Sequence, residues 1–344
     1  MTICRSLASV TTFAATIAGL AMAQVPVAAQ TPAAGRSTST AKAWTLPRTP
    51  DGQPDLQGVY ANATLTPLER PKGLGAKEFY TDQEFAELMQ RIQQGIVPAE
   101  ADLGNAAPQD VRYDLSLYGF DVTKATLASN KRTSLIVGPE GVVPPLLPDA
   151  RKRNAERAAK NKGHEFDSYE NRPLQERCIL MAQERIPMLP GAADNNLLQI
   201  VEGPGYVVLL HEIDHSTRVI PTDGRPHISQ NIREYQGDSV GHWEGNTLVV
   251  DTTNFTDLTA FRGSGEKLHL IERFSRPDEH TLLYQFTAED PTTWDKSWSA
   301  EIPMAKAQGP VYEWACHEGN LDEFVTILRG ARVAEEEAAK KVTK

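Results

Sequence analysis

Tyr206-Val207-Val208-Leu209-Leu210-His211-Glu212-Ile213-Asp214-His215 is the stretch whose reading decides the fold. Its second half, HEIDH, matches the H-E-x-x-H pattern of zinc proteases. That pattern holds zinc only on a helix, where positions i and i+4 share a face. The flanks point to a strand instead. Gly203-Pro204-Gly205 precedes the apolar run, and Thr217-Arg218-Val219-Ile220-Pro221 with Asp223-Gly224 follows it. A β-branched run between Gly and Pro punctuation predicts a strand. With a period of two, His211, Ile213 and His215 share one face, and Glu212 and Asp214 share the other. Four extended steps of about 3.3 Å set the imidazoles about 13 Å apart, too far for one zinc. No zinc-protease site is expected, and this part of the chain reads as β.

The same pattern recurs downstream. Strands are predicted over 197–201, 206–213 and 217–220. His242-Trp243 then leads through Glu244-Gly245-Asn246 into Thr247-Leu248-Val249-Val250-Asp251. That is a tight hairpin in which glycine supplies a positive φ. Residues 267–275 alternate, with Leu268, Leu270, Glu272 and Phe274 on one side. Residues 281–287 set Leu282, Tyr284 and Phe286 opposite Leu283, Gln285 and Thr287, and 298–304 complete the series. Strands at such short intervals predict a mainly β fold, an antiparallel barrel or sandwich over 176–332.

Upstream, residues 44–175 are loop-rich and are expected to wrap this body with a few short helices. Thr81-Asp82-Gln83-Glu84 is a capping box, followed by Phe85, Leu88, Met89 and Ile92 at helical spacing. Gly95 and Pro98 would end that helix. Residues 149–162 predict a second helix, basic and Ala-rich, and 133–137 a short strand. Asn320-Leu321-Asp322-Glu323 signals a last helix, and 333–344 a charged, frayed tail.

The amino terminus points to export. Arg5 precedes an apolar stretch over 7–23, and Val27-Ala28-Ala29 resembles a cleavage site. Residues 1–29 therefore read as a secretory signal peptide. Cleavage after Ala29 leaves about 315 residues (344 minus 29), and cleavage after Ala23 a similar product. Residues 30–43, rich in Ala, Ser, Thr and Pro, read as a disordered lead-in. No other run is long and apolar enough for a membrane span. The expected location is periplasmic or secreted. Losing Arg5 takes the net charge from −10 to −11, which disfavours nucleic acid as a partner. Cys4 leaves with the signal. Cys178 and Cys316 remain in an oxidising compartment and read as one disulfide, the alternative being two buried thiols.

Several long motifs stand out together. They are Pro50-Asp51-Gly52-Gln53-Pro54-Asp55-Leu56-Gln57-Gly58-Val59-Tyr60, Arg132-Thr133-Ser134-Leu135-Ile136-Val137, and GDSVGHWEGNTLVVDTTNF over 237–255. Glu289-Asp290-Pro291-Thr292-Thr293-Trp294 and Cys316-His317-Glu318-Gly319-Asn320 join them. Through these motifs the chain resembles a large family of secreted proteins from soil and aquatic bacteria. The resemblance covers almost all of the mature chain. It implies export and a β-rich body similar to calycin-type barrels. It also implies Glu, His and Arg at the positions of Glu212, His215 and Arg218.

Polar clusters on and beside these strands supply the candidate chemistry. His215 is expected to act as general acid or base, Glu212 as its orienter, and Arg218 as an anion holder. Because Glu212 and His215 lie three apart, a turn or bulge near Asp214 is required to bring them together. His227 and His242 are secondary catalytic candidates. Arg225, Asp238, Trp243 and Glu244 are candidate substrate contacts, with tryptophan offering a flat apolar wall. Gly237-Asp238-Ser239-Val240-Gly241 spells the serine-hydrolase elbow, but no helix follows Ser239. Phosphate-binding and dinucleotide-binding glycine motifs are missing, and no histidine spacing is diagnostic of a metal. The chain therefore reads as a cofactor-free lyase, isomerase or hydrolase for a small oxygenated substrate. The alternatives are a lipocalin-like carrier of an apolar ligand and a structural envelope protein.

Overall fold

Alternation along each strand builds the sheet. A computed structural model describes residues 44–94, 128–180, 186–190, 196–259 and 261–342. The strands are β1 (Gly58–Ala61), β2 (Leu197–Gly203), β3 (Tyr206–His211), β4 (Thr217–Pro221) and β5 (Asp238–Glu244). They continue with β6 (Thr247–Thr253), β7 (His269–Ser275), β8 (Thr281–Glu289) and β9 (Trp298–Ala307). All pair antiparallel in one sheet, in the order β4-β3-β2-β1-β9-β8-β7-β6-β5. Leu270, Glu272 and Phe274 of β7 and Leu282, Tyr284, Phe286 and Ala288 of β8 all face the interior and are buried. Each buried Leu or Phe contributes about 1.5–3 kcal/mol over its exposed state. Trp298, Ala300, Ile302 and Met304 of β9 extend the same core.

Turn chemistry sets the register. Pro204-Gly205 joins β2 to β3, with Gly205 at φ +81° in the position a type II turn reserves for glycine. Gly245-Asn246 joins β5 to β6, with Glu244 facing Thr247 across a two-residue loop. Gly245 has φ +61°, so the predicted hairpin forms as predicted.

The sheet is mainly β, antiparallel and rolled, but it does not close. No strand ladder joins its edge strands, β4 and β5, among the described residues. Their side chains nevertheless touch, since Arg218 Nη2 donates to Ser239 Oγ at 3.0 Å. Glycine allows that approach: a Cβ added at Gly241 would stand 2.9 Å from Ile220 Cγ2.

Three expectations need correcting. First, β3 stops at His211 instead of running on to residue 213. Glu212 turns into the right-handed helical region, Ile213–His215 form a 3-10 turn, and His215 takes φ +53°. The His211 N–H closes this turn on Ser216 O at 2.8 Å. The extended 13 Å spacing therefore does not hold; His211 is buried inside while His215 is exposed. Second, 133–137 is not a strand but a single bridge, Ile136 to Ala300. β1 pairs with only Ala305–Ala307 of β9, and the segment covers part of the edge β1 leaves open. Third, residues 44–175 do more than wrap the body, because β1 comes from this segment and sits between β2 and β9.

The helices follow their caps. α1 (Asp82–Gln93) starts at the Thr81–Glu84 capping box. Gly95 and Pro98 lie outside the described residues, as do residues 1–43, over which a signal peptide and lead-in are expected. α2 (Pro148–Asn161) has proline in its first turn. α3 (Asn320–Val342) runs on as helix through the charged tail. Cys178 and Cys316 form the disulfide, with Cα atoms 5.8 Å apart. None of the described helices is long and apolar enough to cross a membrane.

Candidate functional site: a cleft at the open seam

Where β4 and β5 part, the surface opens into a cleft of about 720 Å³. That volume lies within the usual range for small-molecule sites, about 300–1,000 Å³. Ile179, Leu180, Val219 and Leu258 give it an apolar wall. Arg218, Asp238 and Ser239 give it a polar one, and the 233–237 segment borders it. Gly237 is required in that segment. Its φ is +67°, and an added Cβ would meet Thr253 O at 2.4 Å.

Strand alternation puts Arg218 on the inner face of β4, only 5% exposed. Its guanidinium grips Glu272 of β7 with two bonds, Nη1 to Oε1 at 3.1 Å and Nη2 to Oε2 at 2.6 Å. Glu272 is wholly buried and also accepts from the Tyr284 hydroxyl at 2.9 Å. Ser239 Oγ lies 3.0 Å from Thr252 Oγ1, and Met188 N–H donates to the Tyr284 oxygen. Burial, and then the Glu272 charge, push the Tyr284 hydroxyl well above its ordinary value. Burial, reinforced by Arg218, drives His211 down to about 3, so its ring is neutral. Arg218 Nε and His211 Nε2 are buried without a hydrogen-bond partner among the described residues. Desolvation largely offsets the attraction in such a pair. A buried ion pair beside a cleft is therefore better evidence for a site than for added stability.

Asp238 meets the cleft from the outer face of β5. There it begins a row of alternating acids and imidazoles. His227 Nδ1 lies 2.6 Å from Asp238 Oδ2, and His227 Nε2 lies 3.1 Å from Asp251 Oδ1. His269 Nε2 lies 3.0 Å from Asp251 Oδ2, and its Nδ1 3.3 Å from Glu289 Oε2. Asp251, His269 and Glu289 face outward from β6, β7 and β8. His227 comes from the loop between β4 and β5, where Asn254 Nδ2 donates to Ile228 O and Ser229 O.

The row makes stability depend on pH. The bond to Asp251 holds His269 above the usual imidazole value, and the bond to His269 holds Asp251 below the usual carboxylate value. The histidine contribution is full below about pH 6.5 and is lost as pH rises through the raised value. The aspartate contribution is full above about pH 3.9 and is lost as pH falls through the lowered value. Asp251→Asn should therefore lose most stability near pH 5.5 and less at pH 9, measured by urea unfolding. Equal losses at the two pH values would refute this assignment.

The other candidates lie elsewhere. Glu212 Oε2 accepts from Leu197 N–H at 3.2 Å and Oε1 from Tyr312 N–H at 3.4 Å. His215 Nδ1 accepts from Trp314 N–H at 3.3 Å. The turn near Asp214 does form, but no bond joins the two side chains among the described residues. They dock the segment after β9, and neither lines the cleft. His242, Glu244 and Arg273 form an exposed cluster at the far end of β5. Arg225 pairs with Asp223 in an exposed turn. Trp243 packs on the core and borders a second pocket with Asp51 and Glu202. Burial pushes Glu202 up to about 7, but at about 80 Å³ that pocket is too small for a sugar ring.

Glu272, Tyr284, Asp251 and His269 were not among the sequence candidates. Glu272 carried a visible signal, an acid in line with Leu268, Leu270 and Phe274. Among the described residues, no three His, Cys, Asp or Glu side chains are arranged to hold a metal ion. The chain matches no protein-family model, no curated protein and no solved structure. The reading of the chemistry therefore rests on the site.

Proposed function

We propose that the chain is a secreted, cofactor-free acid–base enzyme acting in the β4–β5 cleft. Its substrate is a small oxygenated molecule with an apolar face, such as a glycoside or a plant- or terpenoid-derived ring. One observation carries this reading. Asp238 offers a carboxylate in the same cleft as Arg218 and Ser239. His227 and the Ile228 N–H both bind Asp238 Oδ2, and no bond reaches Oδ1 among the described residues.

The charges favour a neutral substrate. Glu272 neutralises Arg218, and Arg233, Glu234 and Asp238 put charges of both signs on the cleft lining. Asp238 Oδ1 takes a proton from a carbon next to a carbonyl. The electron pair moves to the carbonyl oxygen, which Arg218 and Ser239 stabilise. When the electron pair returns from the oxygen and expels an oxygen substituent on the next carbon, which leaves with the proton held by Asp238, the result is a lyase. When Asp238 returns the proton to a different carbon, the result is an isomerase. Ser239 is not assigned as a nucleophile, because its partners are Arg218 and Thr252 rather than a base. The signal sequence, the family resemblance and the disulfide support secretion.

The test is proton exchange in D2O on a panel of cyclic ketones and hydroxyketones, followed by NMR. The wild-type protein should speed exchange next to the carbonyl of at least one compound. Asp238→Asn should lower that rate by about 100-fold or more. Exchange undiminished in Asp238→Asn would contradict the assignment. Binding without exchange across the panel would favour a ligand carrier.

A further inference from the structure

The Asp238–His227–Asp251–His269–Glu289 row ends at the proposed reaction base, and its hydrogen count constrains how it works. It has four nitrogen–oxygen contacts. Ionised carboxylates supply no hydrogen to any of them, whereas two doubly protonated imidazoles supply four. A neutral ring would set a lone pair against a carboxylate oxygen. With all three acids ionised, the row is bonded at every contact only when both rings carry both protons. His227 faces Asp238 from β5 and Asp251 from β6; His269 faces Asp251 from β6 and Glu289 from β8. No other charged group bonds either ring among the described residues.

The rings share Asp251, one on each oxygen, so a proton on one weakens the anion's hold on the other. At the cleft end, His227 Nδ1 and the Ile228 N–H both reach Oδ2 of Asp238, and no bond reaches Oδ1 among the described residues. We propose that Asp251, His269 and Glu289 are positioning residues that act through His227 to keep Asp238 ionised and oriented. The three span β6 to β8, so the charge at the cleft is set from the outer face of the sheet. This inference rests on the reading of Asp238 as the base.

Two measurements test it. The first is a ring-¹⁵N NMR titration of His269, which needs no substrate. Asp251→Asn should lower the His269 midpoint. His227→Gln should raise it by on the order of half a pH unit, because the competing cation on Asp251 is gone. A His269 midpoint unmoved by His227→Gln would show independent rings and overturn the relay. The second is the pH profile of exchange. In Asp251→Asn the anion behind His227 is gone, so the ring's hold on Asp238 weakens and Asp238 is less readily kept ionised. The acid limb should therefore move to higher pH while KM is unchanged. An unmoved limb, with the rings coupled by NMR, would overturn the positioning role alone. No exchange in wild type would overturn the base, and the positioning role with it, while the titration still reports the coupling.

Discussion

Glu272→Ala loses about 3–5 kcal/mol of unfolding free energy, because it leaves the Arg218 guanidinium buried without its anion. It also strips the Tyr284 hydroxyl of its acceptor. Urea unfolding followed by tryptophan fluorescence measures the loss. A double change, Arg218→Met with Glu272→Leu, should recover most of it, since apolar residues of similar volume commonly replace buried pairs without penalty. A single-mutant loss under about 1 kcal/mol would mean that water reaches the pair, and the cleft floor would have to be redrawn.

Cys178→Ser loses about as much, for a different reason. The disulfide joins residues 138 apart in sequence, and closing a loop of that size is worth about 4–5 kcal/mol in the chain-entropy account. Ile179 and Leu180, next to Cys178, form part of the cleft's apolar wall. Cys178→Ser should therefore weaken ligand binding as well as lower the urea midpoint. An unchanged midpoint would remove the bond from the stability account.

The sheet was legible because alternation is a local signal. Residues 267–275 and 281–287 declare their inner faces residue by residue, and Glu272 appears among them as an acid on an apolar face. β1 was not legible, because four residues with one fully buried position carry little period. The HEIDH stretch reads as strand up to His211. The departure hangs on a positive φ at His215, which side-chain pattern does not announce. The site was legible in part. Arg218, Asp238 and His227 were named from local clusters, and all belong to the cleft or the row beside it. Asp251, His269, Glu272 and Tyr284 join them only through strand register, and the seam exists only once nine strands have rolled together. His215 and Glu212 looked catalytic because they are polar and close in sequence. The structure gives their polar atoms to backbone N–H groups, those of Leu197 and Tyr312 for Glu212 and that of Trp314 for His215.

The central claim is that the open seam holds the substrate. The most direct measurement is backbone ¹H–¹⁵N NMR mapping of neutral oxygenated compounds, cyclic ketones, lactones and glycosides among them, added to the wild-type protein. The account predicts that binders shift the amides of 217–219 and 235–239 first, with Ser239→Ala weakening the effect. Binders that shift the His242–Glu244 hairpin or the His215 turn and leave the seam untouched would contradict it.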